Sequence, residues 1–133
     1  MLEEQQNSSP AGPLILVVED DAFLRRLLTE KLYKEGLNVA EAVDGAAARA
    51  SLDEQTPSLI LLDLMMPGTD GFQLLQEIKI NAKTKDVPVM VLSNLGEKEH
   101  VERAMALGAA DYMVKAHFVL DEIIAKIRKI LGQ

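Results

Sequence analysis

Five side chains in this sequence could act on one chemical group if the fold brings them together. Glu19 and Asp20 follow the apolar run Leu14–Val18, Asp63 follows Leu59–Leu62, Ser93 follows Val87–Leu92, and Lys115 follows Tyr112–Val114. Parallel strands end on one edge of a sheet, with neighbours about 4.8 Å apart. Three carboxylates crowded there repel one another unless a cation fills the gap. Only oxygen ligands are on offer, which selects a hard cation, and Mg²⁺ fits best because it binds a few carboxylates and keeps waters that a phosphate can replace. A carboxylate can accept a phosphoryl group, and such transfer depends mainly on positioning and charge stabilisation. A phosphoryl group on Asp63 would find an ammonium at Lys115 and a hydroxyl donor at Ser93. Each residue also has a plain structural reading: Ser93 capping a loop, Lys115 as a solvated charge, Glu19 to Asp21 opening a helix, Asp63 ending a strand. The joint placement at successive strand ends favours the chemical reading.

That placement depends on the elements. Leu59-Ile60-Leu61-Leu62 is apolar without alternation, as suits a strand buried on both faces, and Pro67 and Gly68 then turn the chain. Asp70 can cap the helix carrying Phe72, Leu75 and Ile78. Leu14–Val18 reads as another buried strand. Leu24, Leu27, Leu28 and Leu32 follow at helical spacing, with Asp21 as a cap and Gly36 as a stop. Leu37–Ala42 is a weaker strand, and Asp44 caps an alanine-rich helix from Gly45 to about Leu52. Asn81–Asp86 is a polar loop, and Val87–Leu92 is a strand with Pro88 near its start. Glu97–Leu107 is a sparsely apolar helix ended by Gly108, and Tyr112–Val114 is a short strand. Leu120, Ile123, Ile124, Ile127 and Leu131 form an amphipathic stripe with acids at its start and bases at its end. Five strands alternate with five helices, which implies a doubly wound α/β domain with a parallel sheet.

The 133 residues fit one domain, with an expected flexible tail over residues 1–13 and the folded domain over 14–133. The core must be aliphatic, since aromatics make up 4%. The absence of cysteine excludes disulfides and thiolate metal sites. Met1–Ser9 lacks the apolar core of a signal peptide, and a cytoplasmic location is expected. The net charge of −7 argues against direct nucleic-acid binding and against docking on an anionic membrane.

The motifs Val17-Val18-Glu19-Asp20-Asp21, Leu62 to Gly71, Leu92-Ser93-Asn94 and Tyr112-Met113-Val114-Lys115 occur in order at strand ends. Over about Leu14 to Leu131 the chain resembles the receiver domains of two-component response regulators, in the compact form of the chemotaxis regulators. The resemblance implies a flavodoxin-like sheet of order 2-1-3-4-5. It implies Asp63 as phosphoacceptor, and Glu19, Asp20, Asp63 and the Met65 backbone carbonyl as Mg²⁺ ligands. Ser93 matches the hydroxyl that follows the phosphoryl group, Tyr112 the aromatic switch residue, and Lys115 the cation of the site. His100 and His117 match no role and are expected at the surface or in loops. The positions flanking the path of a hydrolytic water hold Met65 and Leu95, both apolar, which implies slow loss of the phosphoryl group. Phosphorylation is expected to let Tyr112 swing inward.

The implied function is a stand-alone, phosphorylation-controlled switch with no turnover beyond self-phosphorylation and slow self-dephosphorylation. Its partners would be a histidine kinase or phosphotransfer protein and an unknown downstream protein, met through the face of the fourth helix, fifth strand and fifth helix. Two departures fall near that face: Ala116 follows Lys115 where the family commonly has a cis-proline, and the last helix starts at His117-Phe118-Val119 without a capping residue. The competing classes are an Mg²⁺-dependent phosphatase of the haloacid dehalogenase type, disfavoured by Met65 where a second acid is typical, and a non-phosphorylated pseudo-receiver. A flavodoxin-like cofactor binder would want a phosphate-cradling loop where the acids stand.

Overall fold

The computed structural model describes residues 12–133. The expected tail lies outside the described residues except for its end, and that end is docked. The Gly12 carbonyl accepts from Asn38 Nδ2 at 3.0 Å, and the Pro13 carbonyl accepts from the Asn38 amide at 2.9 Å.

Five parallel strands form the sheet: β1 (Leu14–Val18), β2 (Asn38–Ala42), β3 (Leu59–Leu62), β4 (Val89–Ser93) and β5 (Asp111–Val114). Their spatial order is β2-β1-β3-β4-β5, as expected. Five α-helices connect and close them: α1 (Ala22–Lys34), α2 (Gly45–Glu54), α3 (Gly71–Ile80), α4 (Lys98–Ala106) and α5 (Leu120–Ile130). β4 begins two residues later than the apolar run suggests. Pro88 has no N–H to give the ladder, so it sits just outside and contributes only its carbonyl, which accepts from the Ile60 amide.

Alternate strand residues feed two cores. Leu16, Val18, Ile60, Leu62, Val89 and Val91 pack under α2, α3 and α4, while Ile15, Val17, Leu59, Leu61, Met90 and Leu92 pack under α1 and α5. This is why the central strands read as continuous apolar runs: neither face meets water. Gly36 ends α1 at φ +85°, a left-handed turn that a side chain would strain. No helix among the described residues is long and apolar enough to cross a membrane.

Candidate functional site

The register brings the strand ends level. Val18 lies beside Leu62, Leu62 beside Val91, and Ser93 beside Val114, so the residues that follow these ends crowd one edge. The backbone carries the alignment one step further, with the Asp63 amide donating to the Val18 carbonyl and the Glu19 amide to the Ala42 carbonyl.

Asp63 is 3% exposed and Glu19 2%. Asp63 Oδ1 accepts from the Met65 amide at 3.0 Å, and Oδ2 from Lys115 Nζ at 2.9 Å. Lys115 Nζ also lies 2.8 Å from Glu19 Oε1, and Glu19 Oε2 accepts from the Asp21 amide at 3.0 Å. Asp20 is exposed. One carboxylate oxygen from each of Glu19, Asp20 and Asp63 lies within 4.8 Å of the others. Burial pushes Glu19 above the ordinary carboxylate value, against the pull of Lys115. Burial also works against the Lys115 charge, but hydrogen bonds to Glu19 and Asp63 outweigh it and hold the ammonium above the usual lysine value. Three acids beside one ammonium leave negative charge unbalanced, and the donor set is all oxygen. The residues therefore fit a hard divalent cation held by Glu19, Asp20 and Asp63.

Ser93 is fully buried at the end of β4, and its Oγ accepts from the Leu95 amide at 3.3 Å. Tyr112 is already half-buried, and its hydroxyl donates to the Leu95 carbonyl. Burial raises the phenol above its ordinary value. Leu95 packs against the core, and Met65, whose amide donates to Asp63, is 56% exposed.

The loop after Asp63 is more ordered than its turn residues suggest. Met65–Met66 pairs antiparallel with Thr69–Asp70, and Thr69 Oγ1 accepts from the Gly45 amide at 2.9 Å. Asp70 caps α3 through the Phe72 and Gln73 amides, and Asp21 caps α1 through Leu24. Gly71 is required by space: a Cβ there would stand 2.3 Å from Leu64 Cα.

No peptide bond among the described residues is cis, and Lys115–His117 forms a 3₁₀ turn that carries Ala116. α4 and α5 both start without a side-chain cap. His117 is exposed, and His100 is half-buried on α4. Its ring centroid lies 6.5 Å from that of Phe72, and its buried Nδ1 has no hydrogen-bond partner among the described residues.

One residue at the site carries no motif signal. Arg25, one turn into α1, reaches back with Nη1 to the Glu19 carbonyl at 2.9 Å and the Asp20 carbonyl at 3.3 Å. Its Nε donates to Glu41 Oε1 at 3.0 Å. Its spacing of four from Asp21 is the only hint, since helical geometry returns that position toward the cap.

A family model described as the response regulator receiver domain matches residues 15–128. Among curated proteins, the DNA-binding dual master transcriptional regulator RpaA of Synechocystis is 36% identical over 90% of this chain and 49% of its own. The phosphate regulon transcriptional regulatory protein PhoB of Escherichia coli is 39% identical over 88% of this chain and 51% of its own. This chain spans about half the length of the curated relatives it matches. Among solved structures, the receiver domain of sensor histidine kinase PA1611 from Pseudomonas aeruginosa superposes with a TM-score of 0.82. It is 28% identical, covers 92% of this chain and all of its own, and carries a magnesium ion coordinated in its active site cleft.

These relatives correct one expectation. The net charge does not support the expected exclusion of nucleic-acid contact, since a relative that matches nine-tenths of this chain is a DNA-binding regulator. The charge describes this chain's own surface and says nothing about the other half of such a protein, so it carries no such exclusion.

Proposed function

The chain belongs to the response regulator receiver domain family, and from that premise we propose that it is a switch set by transfer of a phosphoryl group to Asp63. The observation that carries this reading is the bridge of Lys115 between two buried carboxylates, with Asp20 close by. In this reading a carboxylate oxygen of Asp63 attacks phosphorus. The bond from phosphorus to the donor, a histidine nitrogen of a kinase or phosphotransfer protein or the oxygen of a small acyl phosphate, breaks with its electron pair leaving on the donor. Lys115 stays within reach of the charge that arrives. Met65 N–H orients the carboxylate through Oδ1. Ser93 donates its hydroxyl to a phosphoryl oxygen, which requires a shift from its present place on the Leu95 amide. Glu19, Asp20, Asp63 and the Met65 carbonyl would hold Mg²⁺, which would supply positive charge against the phosphoryl oxygens.

The signal leaves through Ser93 and Tyr112, both tied to Leu95, toward α4, β5 and α5, where a downstream protein reads it. In this reading the chain meets its phosphodonor in the cytoplasm. Incubation with acetyl phosphate and Mg²⁺, followed by intact mass, tests the reading. One added phosphoryl group is expected, absent in Asp63→Asn. An unmodified wild-type chain, or an Asp63→Asn chain modified equally, overturns it.

A further inference from the structure

Arg25 and Glu41 take no part in the chemistry just described, yet they connect three elements at its edge. Resting on the reading of Glu19 and Asp20 as cation ligands, we propose that Arg25 is a positioning residue that places Asp20 for the metal and that Glu41 holds it to that task. Glu19 is fixed through its own side chain, by Lys115 on one oxygen and the Asp21 amide on the other. Asp20 is exposed, so its carboxylate is placed through its backbone. That backbone is held by Arg25, whose Nη1 takes the carbonyls of both acids.

The geometry needs a guanidinium. One nitrogen spans two successive carbonyls while another reaches a carboxylate in a different direction. A lysine ammonium carries the charge without that rigid fork. The Arg25 side chain is 17% exposed, against 47% for Glu41, so the clamp is partly covered by its surroundings. Glu41 sits on β2 opposite Val17 of β1, two residues before Glu19, so the anchor belongs to the sheet and does not move with the loop. Its carboxylate also balances the guanidinium. An unbalanced positive charge behind the acidic loop would oppose a divalent cation in front of it. Groups that orient metal ligands from behind commonly change metal affinity by about 10–100-fold when removed.

Calorimetric titration of Mg²⁺ into the full chain tests this, with urea unfolding in EDTA run on each variant. Arg25→Ala is expected to weaken Mg²⁺ binding on the order of tenfold. Arg25→Lys should not restore it, and Glu41→Gln should weaken it by a smaller factor. A merely structural role would lower the urea midpoint and act equally in any background. A role through Asp20 predicts that Arg25→Ala adds little in an Asp20→Asn background. Wild-type affinity in Arg25→Ala, full rescue by lysine, or equal losses with and without Asp20 would overturn the proposal. If Arg25→Ala does not fold, Arg25→Lys and Glu41→Gln carry the test alone. A wild-type chain that binds no Mg²⁺ defeats the reading of the site itself, whereas wild-type binding with indifferent variants defeats the clamp alone.

Discussion

Replacing Lys115 with methionine keeps most of the side chain's apolar stem and removes the ammonium that the structure places between Glu19 and Asp63. Its Nζ lies 2.8 and 2.9 Å from the two carboxylates, both 3% exposed at the side chain. At an effective dielectric constant of about 20, each contact is worth roughly 6 kcal/mol before the repulsion between the acids and the desolvation of all three groups are subtracted. Breaking a buried pair by removing one partner costs about 3–5 kcal/mol, since the remaining charge keeps its burial penalty. With a urea m-value of about 2 kcal/mol/M, the midpoint should fall on the order of 2 M in EDTA at pH 7.5. Two features separate this from a packing loss. Glu19, already raised by burial, loses its counterion in the variant and rises further, so proton uptake relieves the cost and the deficit should shrink toward pH 5. Mg²⁺ should also stabilise the variant more than the parent, because it restores the missing positive charge. A deficit below about 1 kcal/mol in EDTA, or one that neither acid nor Mg²⁺ reduces, refutes the argument that these carboxylates depend on the ammonium.

Three further outcomes are expected. Because the folded value of Glu19 is raised, its contribution to stability is complete below the unfolded value of 4.5 and is lost as pH rises through the folded one. Glu19→Gln should therefore raise the metal-free urea midpoint at pH 7.5, with the gain fading at acid pH; a gap that ignores pH contradicts it. Met65→Asn places a polar group at the exposed position beside Asp63 and should shorten the life of the phosphoprotein, read by loss of mass after the donor is removed. A lifetime equal to the parent's shows that Met65 does not shield. Tyr112→Phe removes the donor to the Leu95 carbonyl and should cost about 0.5–1.5 kcal/mol in urea unfolding while Asp63 still takes up phosphate; a variant that no longer accepts phosphate would place Tyr112 in the chemistry.

The strands were legible because burial on both faces leaves a plain trace: Leu59–Leu62 and Leu14–Val18 have no polar residue to offer water. The caps at Asp21, Asp44 and Asp70 were legible because each meets amides two or three residues ahead, a purely local event. The acids at the strand ends followed from the parallel topology. The partners of those acids did not. The return of Arg25 onto two carbonyls is decided by the turn between β1 and α1, whereas distances between segments far apart in sequence decide that Lys115 takes Glu19 as well as Asp63 and that Leu95 packs against the core. The half-burial of His100 was illegible for the same reason. Glu97–Leu107 shows few apolar positions, and only the packing of α4 near Phe72 turns one polar residue inward. Gly12 and Pro13 read as tail because composition cannot show that Asn38 receives them.

α4 buries a single side chain, Ala104, and starts without a cap. A switch reports through the ratio of its two populations, and moving that ratio from 1:99 to 99:1 takes about 5.5 kcal/mol of difference between the states. In the proposed switch, a helix so lightly held would leave a smaller difference between the two states for the covalent signal to overcome. Sensitivity and silence thus trade against each other in the footing of one helix, and each added contact beneath α4 would make the protein quieter and harder to turn on.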